Sequence, residues 1–205
     1  DYALWTSPIH RAGDTGLARY KDIGSGPVPE MADDSDYYSN VIRWLLAHPD
    51  LHTGYLVDAA ENPTPAQAAE LARTSCDIAA SRICARAYVD GHRLSKAFYD
   101  GDRAMRESGF DTSFRFGPFS GSTDRYAPVC LNSLLYKYER DIAHFATLLG
   151  DAEGTKEWNR RAAARRKAIN RYLWDPAAGM FLDYDFVTRR RSTYQYVTAF
   201  YPLWA

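Results

Sequence analysis

Residues 106–116 read Arg-Glu-Ser-Gly-Phe-Asp-Thr-Ser-Phe-Arg-Phe. Asp111 follows a Ser108-Gly109 break, has Phe110, Phe114 and Phe116 around it, and is flanked by Arg106 and Arg115. A carboxyl group among aromatic rings is partly desolvated, which raises its pKa, while a nearby guanidinium pulls that pKa back down. The balance suits a general acid that keeps its proton until a leaving group needs it. An aspartate after a glycine is also a common turn or cap residue. Spacing alone leaves both readings open.

The elements that must position Asp111 are helical. Residues 1–35 are rich in Gly, Pro and Asp and have little periodicity, so they are expected to be mostly loop. A helix is expected from about Ser35 to Ala47, with Tyr38, Ile42, Leu45 and Leu46 on one side and His48-Pro49 ending it. Thr64 as cap, Pro65 at the first helical position and Gln67 at capping-box spacing start a long helix running to about Tyr88. Asp90-Gly91 breaks it, and the next helix is expected from about His92 to Arg106, which presents Asp111 from a loop at a helix C-terminus. Leu131, Leu134, Leu135, Tyr138, Ile142, Phe145 and Leu149 recur at helical spacing, with Gly150 as the stop. A further helix is expected from about Ala152 to Leu173, with Trp158, Ala162, Ile169 and Tyr172 inward and Trp174-Asp175-Pro176 ending it. Met180–Phe186 reads as a strand or hairpin arm, and a last helix begins near Tyr194. Helix pairs joined by loops, with almost no strand signal, make this an all-α chain.

Composition is that of an ordinary globular protein, with 46% hydrophobic and 25% charged residues and a formal net charge of -1 over 205 residues. That is not the footprint of a nucleic-acid binder, and no apolar run reaches the roughly 18 residues of a membrane span. The expectation is a soluble protein, cytoplasmic or periplasmic, with no nucleic-acid or membrane partner. Three cysteines argue against a disulfide framework. Cys76 and Cys84 would lie about 12 Å apart along one helix, too far to bridge. Asp175, Asp183 and Asp185 have no accompanying His and more often cap helices and loops than hold a metal. Neither a metal nor a cofactor is expected.

Residues 106–116 resemble the signature of the trehalases of glycoside hydrolase family 37, Glu-Ser-Gly-aromatic-Asp-x-Ser-x-Arg-aromatic, in its neutral-trehalase form. Three more segments agree in order: Gly16–Tyr20 followed by Pro27-Val28-Pro29-Glu30; Leu131–Glu139; and Leu173-Trp174-Asp175 with Gly179 and Asp183-Tyr184-Asp185. The resemblance implies an (α/α)6 toroid of twelve helices. Counterparts of the family's early and late signatures are missing, so this chain is expected to supply roughly the middle helices. On this reading residues 1–205 are part of a single catalytic domain, incomplete at both ends and inactive alone, with the remainder of that domain as partner.

The resemblance also implies chemistry. The reaction would be hydrolysis of α,α-trehalose by an inverting mechanism, with Asp111 as general acid and the base outside this chain. Glu30, Arg106 and Gly109 would bind substrate. Glu30 would accept hydrogen bonds from glucose hydroxyls, and Arg106 would donate several in a fixed geometry. Gly109 would let the backbone approach the sugar closely. Many trehalases have an arginine two residues before the glutamate, where this chain has Val28. Arg115 and Asn132 read as braces for loops. Two other functions remain open from the sequence: another inverting α-glucosidase on an α/α toroid, and a non-catalytic trehalase-like protein that binds sugar.

Overall fold

A computed structural model describes residues 2–31, 36–51, 54–58, 66, 87–110 and 112–205. Its helices are α1 (Tyr2–Trp5), α2 (Tyr37–Ala47), α3 (Lys96–Glu107), α4 (Val129–Leu148), α5 (Ala152–Tyr172) and α6 (Tyr201–Trp204). The strands are short: β1 (Leu56–Asp58), β2 (His92–Leu94), β3 (Tyr126–Ala127), β4 (Trp174–Asp175), β5 (Met180–Phe181), β6 (Tyr184–Asp185) and β7 (Arg190–Arg191). The chain divides into two compact units, one formed by residues 1–20 with Arg125–Ala205, the other by Lys21–Asp124.

In the Lys21–Asp124 unit, α2 buries Tyr38, Val41, Ile42 and Leu45, the i, i+3, i+4, i+7 stripe of an amphipathic helix. Pro49 excludes helical backbone at His48, and the helix stops there with the His48 N–H on the Leu45 carbonyl. These side chains share a core with Val28, Met31, Tyr55, Leu94, Phe98 and Tyr99. The helix expected from His92 begins four residues later. Ser95 is its N-cap, with Oγ accepting from the Phe98 N–H at 3.3 Å, and a cap fixes where a helix can begin. The residues ahead of it are extended instead, so β2 pairs antiparallel with β1 in the register Leu56↔Leu94 and Asp58↔His92. Midway along α3, a Cβ on Gly101 would stand 2.0 Å from the Gly121 carbonyl oxygen. Only glycine lets the helix pass the 117–122 turn this closely. The expected helix from Thr64 to Tyr88, with Cys76 and Cys84, lies outside the described residues apart from Ala66, which is helical, and Ala87-Tyr88, which are not; Val89 then bridges His92 across the Asp90-Gly91 turn.

In the other unit α4 and α5 form the helical hairpin expected, reversed by Leu149-Gly150-Asp151, with Asp151 Oδ1 accepting from the Gly154 N–H at 2.8 Å. The face of α4 differs from the expected one. Leu131 and Leu135 are buried, but Leu134, Tyr138, Phe145 and Leu149 are exposed, and Asn132, Ser133, Glu139, Ala143 and Ala146 occupy the interior. The apolar residues of α4 wrap around more than one side, and one partner helix covers only one of them. Asn132 is the brace it was expected to be: Oδ1 accepts from the Ala18 N–H at 2.8 Å while Nδ2 donates to the Ala18 and Pro128 carbonyls, each at 2.9 Å. The carboxylates near the end of the chain are caps. Asp183 Oδ1 accepts from the Val129 N–H at the start of α4, Asp175 Oδ1 from Ala177 and Ala178, and Asp185 Oδ1 from Val187 and Thr188. β6 pairs with both β3 and β7, and β4 with β5, so the expected hairpin arm forms within more strand than the sequence signalled. The last helix does not begin at Tyr194. A 3-10 turn over Val197–Phe200 leads into α6.

Candidate active site

One face of α3 organises a non-helical segment. Arg103 Nε donates to Asp22 Oδ1 at 2.9 Å and its Nη1 to the Pro27 carbonyl at 3.2 Å. Lys21 Nζ lies 3.0 Å from Asp100 and 3.2 Å from Asp124, and its backbone N–H donates to Glu107 at 2.6 Å. Asp100, Arg103 and Glu107 are three and four residues apart and therefore share a face. They hold residues 21–27 so that the 3-10 turn Pro29–Met31 delivers Glu30 to the next stripe of the same helix.

There Glu30 meets Arg106. Arg106 Nη1 donates to Glu30 Oε1 at 2.9 Å, joining two of the substrate-binding residues expected from the sequence. Glu30 is 61% exposed and Arg106 22%, so the pair lies where a ligand can reach it. Behind it stands Asp102, one helical turn before Arg106 and fully buried. Its Oδ2 accepts from the Tyr38 hydroxyl at 2.8 Å and from Arg106 Nε at 3.5 Å. Its Oδ1 is buried without a hydrogen-bond partner among the described residues. Burial raises the pKa of Asp102, opposed by the Arg106 charge and the Tyr38 hydrogen bond. Burial alone would lower the pKa of Arg106, but Asp102 and Glu30 together hold it above the ordinary guanidinium value. Tyr38 is pushed up by burial and by the neighbouring Asp102 charge. The ring of Tyr37 lies 5.9 Å from the Arg106 guanidinium carbon.

After α3 the chain turns at Gly109, whose φ of 72° is one that side-chain-bearing residues rarely adopt. Among the described residues nothing lies within 4 Å of the position a Cβ would take. Asp111 lies outside the described residues. Those on either side of it are anchored: the Phe110 N–H donates to Ser108 Oγ at 3.1 Å, and Thr112 Oγ1 lies 3.5 Å from the Tyr37 hydroxyl. Arg115 is buried, its guanidinium carbon 5.3 Å from the Phe110 ring and 4.6 Å from that of Phe116, the loop brace expected of it. Trp44 meets Phe114 and Phe119 edge to face at 5.2 and 5.3 Å, and the two phenylalanine rings are tilted against each other at 5.4 Å. Phe119 and Ser120 have φ of 53° and 56°, an unfavourable left-handed pair of the kind retained at functional loops. Ser120 Oγ offsets part of that strain by donating to the Ser113 carbonyl at 3.0 Å.

The fold thus brings Glu30 and Arg106 together, and it surrounds Arg106 with Asp102, Tyr37 and Tyr38, none of which the motifs single out. The i, i+4 spacing of Asp102 and Arg106 was the available signal. The tyrosines had none, because their contribution depends on how α2 packs. Among the described residues no group of three His, Cys, Asp or Glu side chains gathers to hold a metal ion, and no helix is long and apolar enough to cross a membrane.

The Glu-Ser-Gly-Phe-Asp signature that follows Arg106 resembles that of a glycoside hydrolase family. The family model described as Trehalase matches residues 47–205, and the chain belongs to the trehalase family. It is 39% identical to the cytosolic neutral trehalase of Emericella nidulans over 222 residues and 30% identical to that of Neurospora crassa over 223 residues. Each match covers 100% of this chain and 26% of the relative, so the chain spans about a quarter of the length of these curated relatives. A solved neutral trehalase from Saccharomyces cerevisiae is similar with a TM-score of 0.65 and 28% identity, over 98% of this chain and 33% of that one. That structure is an (α/α)6 toroid, the fold class to which the helices of this chain conform.

Proposed function

We propose that the protein containing this chain hydrolyses α,α-trehalose to two glucose molecules with inversion, and that residues 1–205 form part of its single catalytic domain. The observation that carries this reading is the Glu30–Arg106 pair, 2.9 Å apart at the surface, immediately ahead of the Glu-Ser-Gly-Phe-Asp segment. Asp111 is the general acid. It protonates the bridging oxygen as the C1–O bond breaks, and the electron pair of that bond leaves with the departing glucose. A water held by a second carboxylate attacks C1 from the opposite side and gives its proton to that carboxylate. The two carboxyl groups of such a pair stand about 6.5–9.5 Å apart, and no residue of this chain is assigned as the base. Glu30 accepts from sugar hydroxyls, Arg106 donates to neighbouring ones, and Gly109 brings the backbone close. The relatives are named cytosolic neutral trehalases, which favours a cytoplasmic enzyme.

Proton NMR of the first glucose released by the intact protein tests this. One glucose released as the β-anomer and one as the α-anomer is the inverting result. Two α-anomers would overturn the mechanism, and no glucose at all would overturn the function.

A further inference from the structure

The buried carboxylate of Asp102 takes no direct part in the reaction above. It is also not explained by stability. Withdrawing a carboxylate from water costs several kcal/mol even when it is paired, and apolar replacements of buried ion pairs are often neutral or stabilising. Tyr38 and Tyr99, which both sense its charge, belong to one hydrophobic core. What Asp102 does contact is informative. It holds the Nε side of Arg106, the edge nearest the backbone, from one helical turn away. Nη1 is thereby directed to Glu30, and Tyr37 covers the guanidinium face. A free arginine side chain has many rotamers, and ordering one on ligand binding weakens affinity. Here the ordering is done beforehand by α2 and α3, since the Tyr38 hydroxyl in turn fixes Asp102.

We propose that Asp102 is a positioning residue: with Tyr38 it pre-orders the guanidinium of Arg106 beside Glu30 for donation to sugar hydroxyls. This rests on the trehalose-hydrolysing reading, and it reaches the sugar only through Arg106. The carboxylate must be buried to do so, because a solvated one would be screened and free to rotate.

The test compares Asp102→Asn, Arg106→Ala and the double variant in the intact protein. Asparagine keeps the shape and an acceptor for Tyr38 but removes the charge. Asp102→Asn is expected to raise KM for trehalose about tenfold, with kcat falling by less. In the Arg106→Ala background it should add nothing to KM, because the group it positions is gone. Asp102→Ser, small enough to admit water, is measured alongside and should raise KM at least as much, so one variant that fails to fold does not end the experiment. Phenylglyoxal modification of Arg106, followed by peptide mass spectrometry, gives a readout without substrate and should quicken several-fold in Asp102→Asn. An unchanged KM in folded single variants would overturn the proposal, as would KM effects that multiply in the double variant. A wild type inert towards trehalose, with Arg106 modification still accelerated, would overturn the proposed function and leave the Asp102–Arg106 link supported.

Discussion

In the unit formed by residues 1–20 and Arg125–Ala205, Glu139 of α4 and Arg165 of α5 meet with both partners buried, Arg165 Nε and Nη2 lying 2.9 and 2.8 Å from Glu139 Oε1. Tyr2 donates to the same oxygen at 2.6 Å, and Arg165 Nη1 turns inward to Asn132 Oδ1 at 3.4 Å. In the Lys21–Asp124 unit, Asp102 and Tyr38 repeat the carboxylate–tyrosine part of this arrangement, but Arg106 points out to an exposed glutamate. Each carboxylate leaves one oxygen without a partner among the described residues, so the acids do not distinguish the sites. The arginines do. One has both ends committed to the interior and fastens two helices. The other has its far end at the surface, where a ligand can compete for it.

If this contrast is sound, damage to activity and damage to stability should separate between the two units. The largest effect is expected from Asp111→Asn, which keeps shape but removes the transferable proton. Turnover of trehalose should fall by at least ~10²-fold, the low end for general acid catalysis, with little change in binding. A glucosyl fluoride needs far less protonation to leave and should be spared. Equal loss on both substrates with a markedly lower melting temperature would make Asp111 a loop cap and erase the contrast.

Next is Arg165→Met, which strands Glu139 in the interior. Breaking such a buried pair costs about 3–5 kcal/mol, read as a lower denaturation midpoint, while KM for trehalose stays unchanged. Arg106→Ala should do the reverse, raising KM on both trehalose and the fluoride with a smaller loss of stability. A KM change in Arg165→Met would show that the closed pair also serves the site.

The smallest effect concerns pH. Tyr38, Tyr99, Arg106 and Glu30 all act on Asp102, and burial, the largest influence, raises its pKa in the folded protein. A raised folded-state pKa stabilises below the unfolded value, and that contribution is lost as pH rises through the folded one. Asp102→Asn does not titrate, so its melting temperature relative to wild type should climb as pH is raised from about 4. A difference independent of pH would mean that the carboxylate is already well compensated.

The sequence made the helical class and the α4–α5 hairpin legible, because long periodic segments carry their own signal. The ends of elements were harder to read. His92–Leu94 looked helical by continuity, and only the Ser95 cap separates strand from helix. On α4 the row Leu134, Tyr138, Phe145 and Leu149 promised an interior face that lies exposed, since periodicity says which residues share a side and not which side is covered. At the candidate site, the motifs singled out Glu30, Arg106 and Gly109, and the fold joins the first two. Asp102 was hidden among ordinary helix charges, because burial is decided by α2, a separate element.

The way α3 grips residues 21–30 also bears on how this segment tolerates editing. Asp100 and Glu107 hold Lys21, Arg103 holds both Asp22 and the Pro27 carbonyl, and Arg106 holds Glu30, so the fixed positions of these side chains gauge the length of the loop. Swaps at outward positions such as Ile23, 87% exposed, leave every grip intact. Adding one residue between Asp22 and Pro27 lengthens the path by up to ~3.5 Å, more than the full length of the Glu30–Arg106 contact. The segment is therefore permissive at such outward positions but not at Gly24, where a Cβ would stand 1.9 Å from Arg103 Nη2, and it is intolerant of insertions, which makes its length a quantity to preserve in any redesign.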